Sequence, residues 1–205
     1  MDETTSLIKQ WLGSGSINFF GPPFSGKDTQ AERLAELLGG QVISGGDILR
    51  HGQTNPKVKQ IMDSGGLIPS ELFLKIIPPF LAQPSLKNKP LLLSSIGRLI
   101  SEVPVVSQAT HDSGHDIKAV ILLQLPSQGV WRHFKVAQRR RDRGQRADDN
   151  PATLKVRLKE FKRTKPVLDY YHHQGLLITI DDRKDTDQVT QAILEALSRR
   201  ARSSL

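Results

Sequence analysis

The sequence predicts an α/β protein built on a parallel sheet, and three observations support that prediction. Short apolar runs alternate with helical patterns along the chain, which is typical of strands joined by crossover helices. A glycine-rich segment, residues 21–29, separates the first apolar run from the first strong helical pattern. With 205 residues, the chain is short enough for one hydrophobic core. We therefore expect a single domain, residues 1–205, with helices flanking the sheet.

Five apolar runs have the length and composition of buried strands. They are Ser16–Phe20, Gln41–Ile43, Leu91–Leu93, Ala119–Leu123 and Leu176–Ile180. Helical spacing of apolar residues predicts helices over residues 4–12, Thr29–Leu38, Glu71–Ile77 and Val189–Leu197. Asn150 and Pro151 predict another helix start, because an N-cap residue is followed by proline at the first helical position. Pro78 and Pro79 are expected to end the helix before them.

Composition excludes several kinds of protein. The chain has no cysteine, which rules out disulfides, zinc–thiolate sites and cysteine nucleophiles, so we expect no zinc. The acidic start, residues 1–5, lacks the basic residues and apolar run of a signal peptide. The apolar runs are too short to cross a bilayer. We expect a cytoplasmic protein with no membrane partner.

The net charge of +8 suggests either an anionic partner, such as a nucleotide, a nucleic acid or a membrane surface, or a solvated basic surface. Proteins that bind single-stranded RNA place aromatic residues among their basic ones to stack bases. Here only 5% of residues are aromatic, and the arginine-rich segment 139–146 contains none. We therefore expect a nucleotide partner and no nucleic acid. The arginines of residues 199–202 are expected to lie in a frayed tail.

The strongest motif is the segment Gly21-Pro22-Pro23-Phe24-Ser25-Gly26-Lys27-Asp28-Thr29. It follows a strand and opens a helix, which is the context that a phosphate-binding P-loop requires. Glycines let the backbone turn so that successive N–H groups face one anion, and the helix N-terminus adds its positive dipole end. Lys27 is expected to reach the β- and γ-phosphates of ATP. The candidate phosphate contacts are Gly21, Pro22, Phe24, Ser25, Gly26, Lys27, Asp28 and Thr29.

Six ordered segments resemble the adenylate kinase family of the short-lid type. GPPFSGKDTQ resembles the family's GPPGAGKGTQ, ISGGDILR (43–50) resembles ISTGDMLR, and DSGGLIP (63–69) resembles DAGKLVP. LLSSIGR (92–98) stands where the family has LLDGFPR, GQRADDN (144–150) resembles GRADDN, and LDYY with GLL (168–177) resembles the DYY…GLL ending. The resemblance covers nearly all of the chain beyond about residue 14.

The resemblance implies a P-loop NTPase fold with a five-stranded parallel sheet. A small insert that binds the nucleoside monophosphate would span about residues 44–73, and a short lid about 137–150. The implied activity is transfer of the γ-phosphoryl group of ATP to AMP, with Mg²⁺ as cofactor, by a monomer. The alternatives are a kinase for another monophosphate, GMP first, or a nucleotide-binding module with little turnover.

The resemblance also implies roles for particular residues. Arg50 and Arg98 would hold the acceptor phosphate, and Arg146 and Arg157 the transferring phosphoryl group, because guanidinium groups match phosphate oxygens. Arg140 and Arg143 are candidates for further lid arginines. The residues expected to contact AMP are Ser44, Gly45, Arg50, Leu67, Ile68, Gly97, Arg98 and Glu102.

Three departures from the family pattern affect the metal and the acceptor base. The family's strand-end aspartate is Ser94 here, and its glycine after the P-loop lysine is Asp28. We hypothesise that the carboxylate facing Mg²⁺ has moved to Asp28, with Asp47 as a second acid; the alternative is that Asp28 interacts with the N-terminus of its own helix. Glu102 replaces the family's glutamine and accepts hydrogen bonds from either adenine or guanine.

Overall fold

The sheet of the computed structural model, which describes residues 3–46, 48, 56–140 and 149–204, is parallel throughout. Its five strands lie in the order β2-β3-β1-β4-β5. They are β1 Ser16–Phe20, β2 Gln41–Ser44, β3 Leu91–Ser94, β4 Ile117–Gln124 and β5 Leu177–Asp181. All five predicted strands are confirmed, with ends shifted by at most two residues. β1 lies at the centre and is buried along its whole length.

Helices connect the strands and cover the sheet. Within the described residues they are α1 Glu3–Leu12, α2 Lys27–Leu38, α3 Pro56–Asp63, α4 Ser70–Leu81, α5 Val103–Asp112, α6 Ser127–Arg140, α7 Pro151–Lys162, α8 Lys165–His173 and α9 Thr186–Ser204. Short 3₁₀ turns occur at Pro84–Leu86 and Ile100–Glu102. In the described part of the chain, no helix is both long enough and apolar enough to span a membrane.

The largest core cluster joins the sheet to α1, α2 and α9. Ile8 and Leu12 of α1 are completely buried there, beside Ile17 of β1 and Ile193 of α9. The expectation of a frayed C-terminal tail is wrong, because α9 continues to Ser204 and its Ala201 is fully buried. Both chain ends therefore contribute to the same core.

The predicted end of the helix Glu71–Ile77, which is α4 in the structure, is also wrong. Pro78 and Pro79 lie inside α4, which continues to Leu81. A proline removes a backbone hydrogen bond and crowds the preceding turn, but packing offsets that cost here. Phe73, Ile77 and Leu81 form one buried face of α4 in a second core cluster, so the last turn stays helical because it carries a core side chain.

The topology places the candidate site at one edge of the sheet. In a parallel sheet all strands end at the same edge, and ligands bind in the crevice outside those carboxyl ends. The P-loop follows β1, and the segments that contain Gly45 and Arg98 follow β2 and β3. Since β1 and β2 both pair with β3, these three loops are neighbours in space.

Candidate active site

The loop between β1 and α2 has the geometry that a phosphate-binding loop needs. Gly26 has φ 69° and is the N-cap of α2, a left-handed conformation that favours glycine. Gly21 leaves no room for a side chain, because a Cβ there would lie 2.3 Å from Ser25 Oγ and 3.1 Å from the Leu123 carbonyl oxygen. Both positions therefore favour glycine, Gly26 because of its backbone conformation and Gly21 because a side chain does not fit. Helix α2 begins at the end of the loop.

Lys27 and Asp28 are the first two residues of α2, and both line a cleft at the edge of the sheet. The Lys27 side chain is 14% exposed, and its Nζ lies 3.8 Å from Asp28 Oδ2. The ammonium group is thus partly shielded from water beside the loop. A cation in this position can offset charge on the phosphates of a bound nucleotide.

Asp28 and Ser94 meet across the cleft. Ser94 is the last residue of β3 and is buried, and its Oγ donates a hydrogen bond of 2.5 Å to Asp28 Oδ1. The Asp28 carboxylate therefore lies at the end of β3, where the related family motif has an aspartate. The two positions that depart from the family pattern are in direct contact.

Arg98 brings a positive charge to the other side of the cleft. It follows β3 and lines the cleft together with Lys27 and Arg157. Burial, and then the nearby charge of Arg157, lower the pKa of Arg98 to about 10. Without a ligand, two guanidinium groups repel each other here, and an anion between them would relieve that repulsion.

The carboxylate of Glu102 is held by donors of the protein itself. Its Oε2 accepts from the backbone N–H groups of Arg98 at 2.8 Å and Leu99 at 3.1 Å. Its Oε1 accepts from the Ser70 hydroxyl at 2.8 Å. Glu102 lines the cleft and also fixes the backbone that carries Arg98. Among the described residues, these three bonds leave one acceptor position of Oε1.

Arg157 reaches the same cleft from α7. Its Nη1 lies 3.4 Å from Asp149 Oδ1, and α7 starts at the predicted cap, where Asn150 Oδ1 accepts from the Thr153 backbone N–H at 3.0 Å. The Arg157 side chain is 21% exposed. The helix start predicted from Asn150 and Pro151 is confirmed, and it places Arg157 two turns later.

The cleft brings together many of the residues singled out from the sequence. Those that line it are Gly21, Lys27, Asp28, Ser44, Gly45, Leu67, Ile68, Ser94, Arg98, Glu102 and Arg157. Pro22, Phe24, Ser25 and Gly97 are buried beside it, Gly26 is half-buried and Thr29 is exposed. Asp47, Arg50, Arg143, Arg146 and the side chain of Arg140 lie outside the described residues.

Three further residues belong to this site. Phe161 and Thr164 line the cleft, and Ser70 anchors Glu102. Thr164 is fully buried, and its Oγ1 has no hydrogen-bond partner within the part of the chain that the structure describes. Nothing in the sequence pattern distinguished Thr164 from other helix-start residues, because its position depends on how α7 and α8 pack.

Comparison with known proteins agrees with this geometry. The sequence model of the adenylate kinase family matches residues 19–176. Adenylate kinase of Beijerinckia indica is 34% identical over 182 residues, which cover 84% of this chain and 94% of that protein. Adenylate kinase of Agrobacterium fabrum is 32% identical over 190 residues, which cover 88% of this chain and 96% of that protein. Adenylate kinase of Thermus thermophilus is 31% identical over 188 residues, which cover 89% of this chain and 96% of that protein. The chain belongs to the adenylate kinase family of phosphotransferases.

Proposed function

We propose that this protein transfers the γ-phosphoryl group of ATP to AMP and so forms two molecules of ADP. The observation that carries the proposal is the convergence of Lys27, Arg98 and Arg157 on one cleft beside the phosphate loop. Phosphoryl transfer requires positioning and charge stabilisation more than covalent help from the protein. Three cations from three different elements fit that requirement.

The donor and acceptor occupy opposite sides of the cleft in this proposal. ATP binds with its phosphates on the P-loop, residues 21–29. AMP binds over Ser44, Gly45, Leu67 and Ile68, with its phosphate on Arg98 and Arg50. Arg157 faces the transferring group, and Arg146, Arg140 and Arg143 approach it from the lid, residues 137–150. The insert and the lid close over both nucleotides and exclude water.

In the transfer step, an oxygen of the AMP phosphate forms a bond to the γ-phosphorus. The bond from that phosphorus to the β–γ bridging oxygen breaks, and its electron pair stays on the departing ADP. Lys27 offsets the charge that builds up on the bridging oxygen. Arg98 and Arg157 hold the acceptor oxygen and the phosphoryl group in line, so that the reaction becomes effectively unimolecular.

The position of Glu102 favours AMP over GMP as acceptor. Guanine would present two adjacent N–H donors, and binding both would require two vacant acceptor positions on the Glu102 carboxylate. Three donors of the protein already occupy that carboxylate, namely the Arg98 and Leu99 amides and the Ser70 hydroxyl. The one remaining position suits a single donor, such as the exocyclic amine of adenine.

Steady-state rates with ATP and five acceptors test this function. We expect AMP to give the highest kcat/KM among AMP, GMP, CMP, UMP and dTMP. Efficient transfer to GMP with poor transfer to AMP would reverse the assignment of the acceptor. If ATP binds but no acceptor is phosphorylated, the protein is a nucleotide-binding module and the proposed reaction is wrong.

The residues at the strand end fit Mg²⁺. This ion prefers oxygen ligands and binds through one or two carboxylates, substrate phosphates and retained waters. Asp28 offers such a carboxylate beside the P-loop, and the Ser94 hydroxyl holds it there. When bound, Mg²⁺ supplies additional positive charge for the phosphate oxygens. We propose Asp28 as its principal protein contact, directly or through water, with Asp47 as a second acid.

A double-mutant cycle tests the role of Asp28. Asp28→Gly is expected to raise the Mg²⁺ concentration needed for half-maximal kcat by about tenfold, the usual cost of losing one metal-supporting group. Adding Ser94→Asp returns the carboxylate to the strand end and should restore the Mg²⁺ requirement. Binding of Mn²⁺ to the complex with a non-hydrolysable ATP analogue, followed by electron paramagnetic resonance, should change in parallel. If Asp28→Gly leaves the Mg²⁺ dependence of kcat unchanged, Asp28 does not contact the metal and acts only at the start of its own helix.

A further inference from the structure

Phe24 occupies a strained backbone position inside the P-loop. Its φ is 63°, in the left-handed region that residues with a Cβ rarely adopt. The related motif has glycine here, which takes up this conformation without strain. A strained residue persists only where the surrounding structure holds it. The contacts of Phe24 therefore indicate what the strain maintains.

An aromatic cluster holds the Phe24 ring. The ring lies edge-on to Phe134, with centroids 5.2 Å apart and an angle of 83°, and Phe134 contacts Trp131 at 5.8 Å. Leu154 of α7 packs into the same cluster. His133 Nδ1 donates to the backbone carbonyl of Phe24 at 3.0 Å. Phe24 thus connects the P-loop to α6 and α7.

The Phe24 ring also supports the guanidinium of Arg157. Arg157 Cζ lies 5.9 Å from the ring centroid, within the range of cation–π attraction. The aliphatic stem of Arg157 packs against Gly65, where an added Cβ would be 2.9 Å from Arg157 Cγ. The charges of Arg157 and Arg98 repel each other. Asp149, whose Oδ1 lies 3.4 Å from Arg157 Nη1, and the Phe24 ring are two contacts that hold the Arg157 guanidinium in place.

We propose that Phe24 is a positioning residue that holds the Arg157 guanidinium at the P-loop for phosphoryl transfer, through the cation–π contact with its ring. The proposal rests on the proposed function. A displacement of about 1 Å in a positioned group can slow a reaction by on the order of 10²-fold. The contact therefore acts mainly on kcat, and the strained backbone keeps the ring where Arg157 can use it.

Phe24→Leu tests this role, because leucine keeps an apolar side chain in the cluster but removes the ring. We expect kcat to fall by about tenfold or more, in line with the loss of one buried cation–π contact and its alignment. The KM for ATP should change by less than about threefold, because the P-loop glycines and Lys27 remain. Trp131→Leu is the matched control: it removes a ring from the same cluster and should lower Tm without lowering kcat.

A double-mutant cycle with Arg157 separates this role from a purely structural one. If Phe24 acts through Arg157, Phe24→Leu should cause no further loss of kcat in an Arg157→Met background. An equal loss in both backgrounds, or an unchanged kcat in Phe24→Leu alone, would overturn the proposal. Both results require an active wild-type enzyme, so a wild type without transfer activity would instead overturn the proposed function.

Discussion

Replacing Lys27 with alanine is expected to lower kcat by a factor of about 10² or more, the usual cost of removing one group that stabilises developing charge. Lys27 is the first residue of α2, and its side chain is 14% exposed at the edge of the cleft. No backbone N–H of the loop can replace a full positive charge at the bridging oxygen. Steady-state kinetics at saturating ATP and AMP measure the effect.

The variant should remain folded, because Lys27 is not part of the apolar core. Circular dichroism and thermal unfolding check this directly. Lys75→Ala is a suitable control, since Lys75 is an exposed lysine on α4, away from the P-loop in the chain. Near-normal turnover by a folded Lys27→Ala protein would contradict the kinase assignment.

Replacing Arg98 with methionine should produce opposite changes in activity and stability. Methionine keeps much of the side-chain length but removes the charge, so kcat/KM for AMP is expected to fall by about 10-fold to 100-fold, as for a lost hydrogen-bonded charge. The protein without ligand should become more stable. Burial and repulsion by Arg157 disfavour the charged form of Arg98 and outweigh the attraction of Glu102 and Glu160, so that the pKa of Arg98 falls to about 10. This net penalty disappears in the variant.

Thermal unfolding with and without AMP distinguishes the two effects. Tm without ligand should rise, while the further increase caused by AMP should shrink. Arg183→Met is the control, because Arg183 is an exposed arginine that does not line the cleft and pairs with Asp181 Oδ2 at 2.7 Å. A lower Tm for Arg98→Met, together with an unchanged response to AMP, would show that Arg98 has a structural role instead.

Much of the fold follows from local sequence patterns. The strands could be predicted because each contains a short apolar run, and the run Leu91–Leu93 in β3 is completely buried. The P-loop could be predicted because Gly26 adopts a left-handed backbone conformation and Gly21 has no space for a side chain beside Ser25 of the same loop. The end of α4 could not, since the core contacts of Leu81 outweigh a local rule about proline.

Less of the site could be predicted from the sequence, because its chemistry depends on contacts between residues that are far apart in the chain. Glu102 differs from the family's residue by one functional group, but only the fold shows that Ser70 and the backbone of Arg98 occupy its carboxylate. The same holds for Phe24, whose ring meets Arg157 more than a hundred residues later in the chain. In contrast, Asp28 and Ser94 were paired from the sequence as two related departures, and they are hydrogen-bonded.

Direct transfer of a phosphoryl group between two nucleotides in one cleft can be tested by following a radioactive label. The protein is incubated with ATP labelled at the γ-phosphate, with and without AMP, and the products are separated. We predict that the label appears at the β-phosphate of newly formed ADP, that two ADP form for each ATP consumed, and that both require AMP. Label that passes to inorganic phosphate, or remains in ATP when AMP is present, would contradict the account.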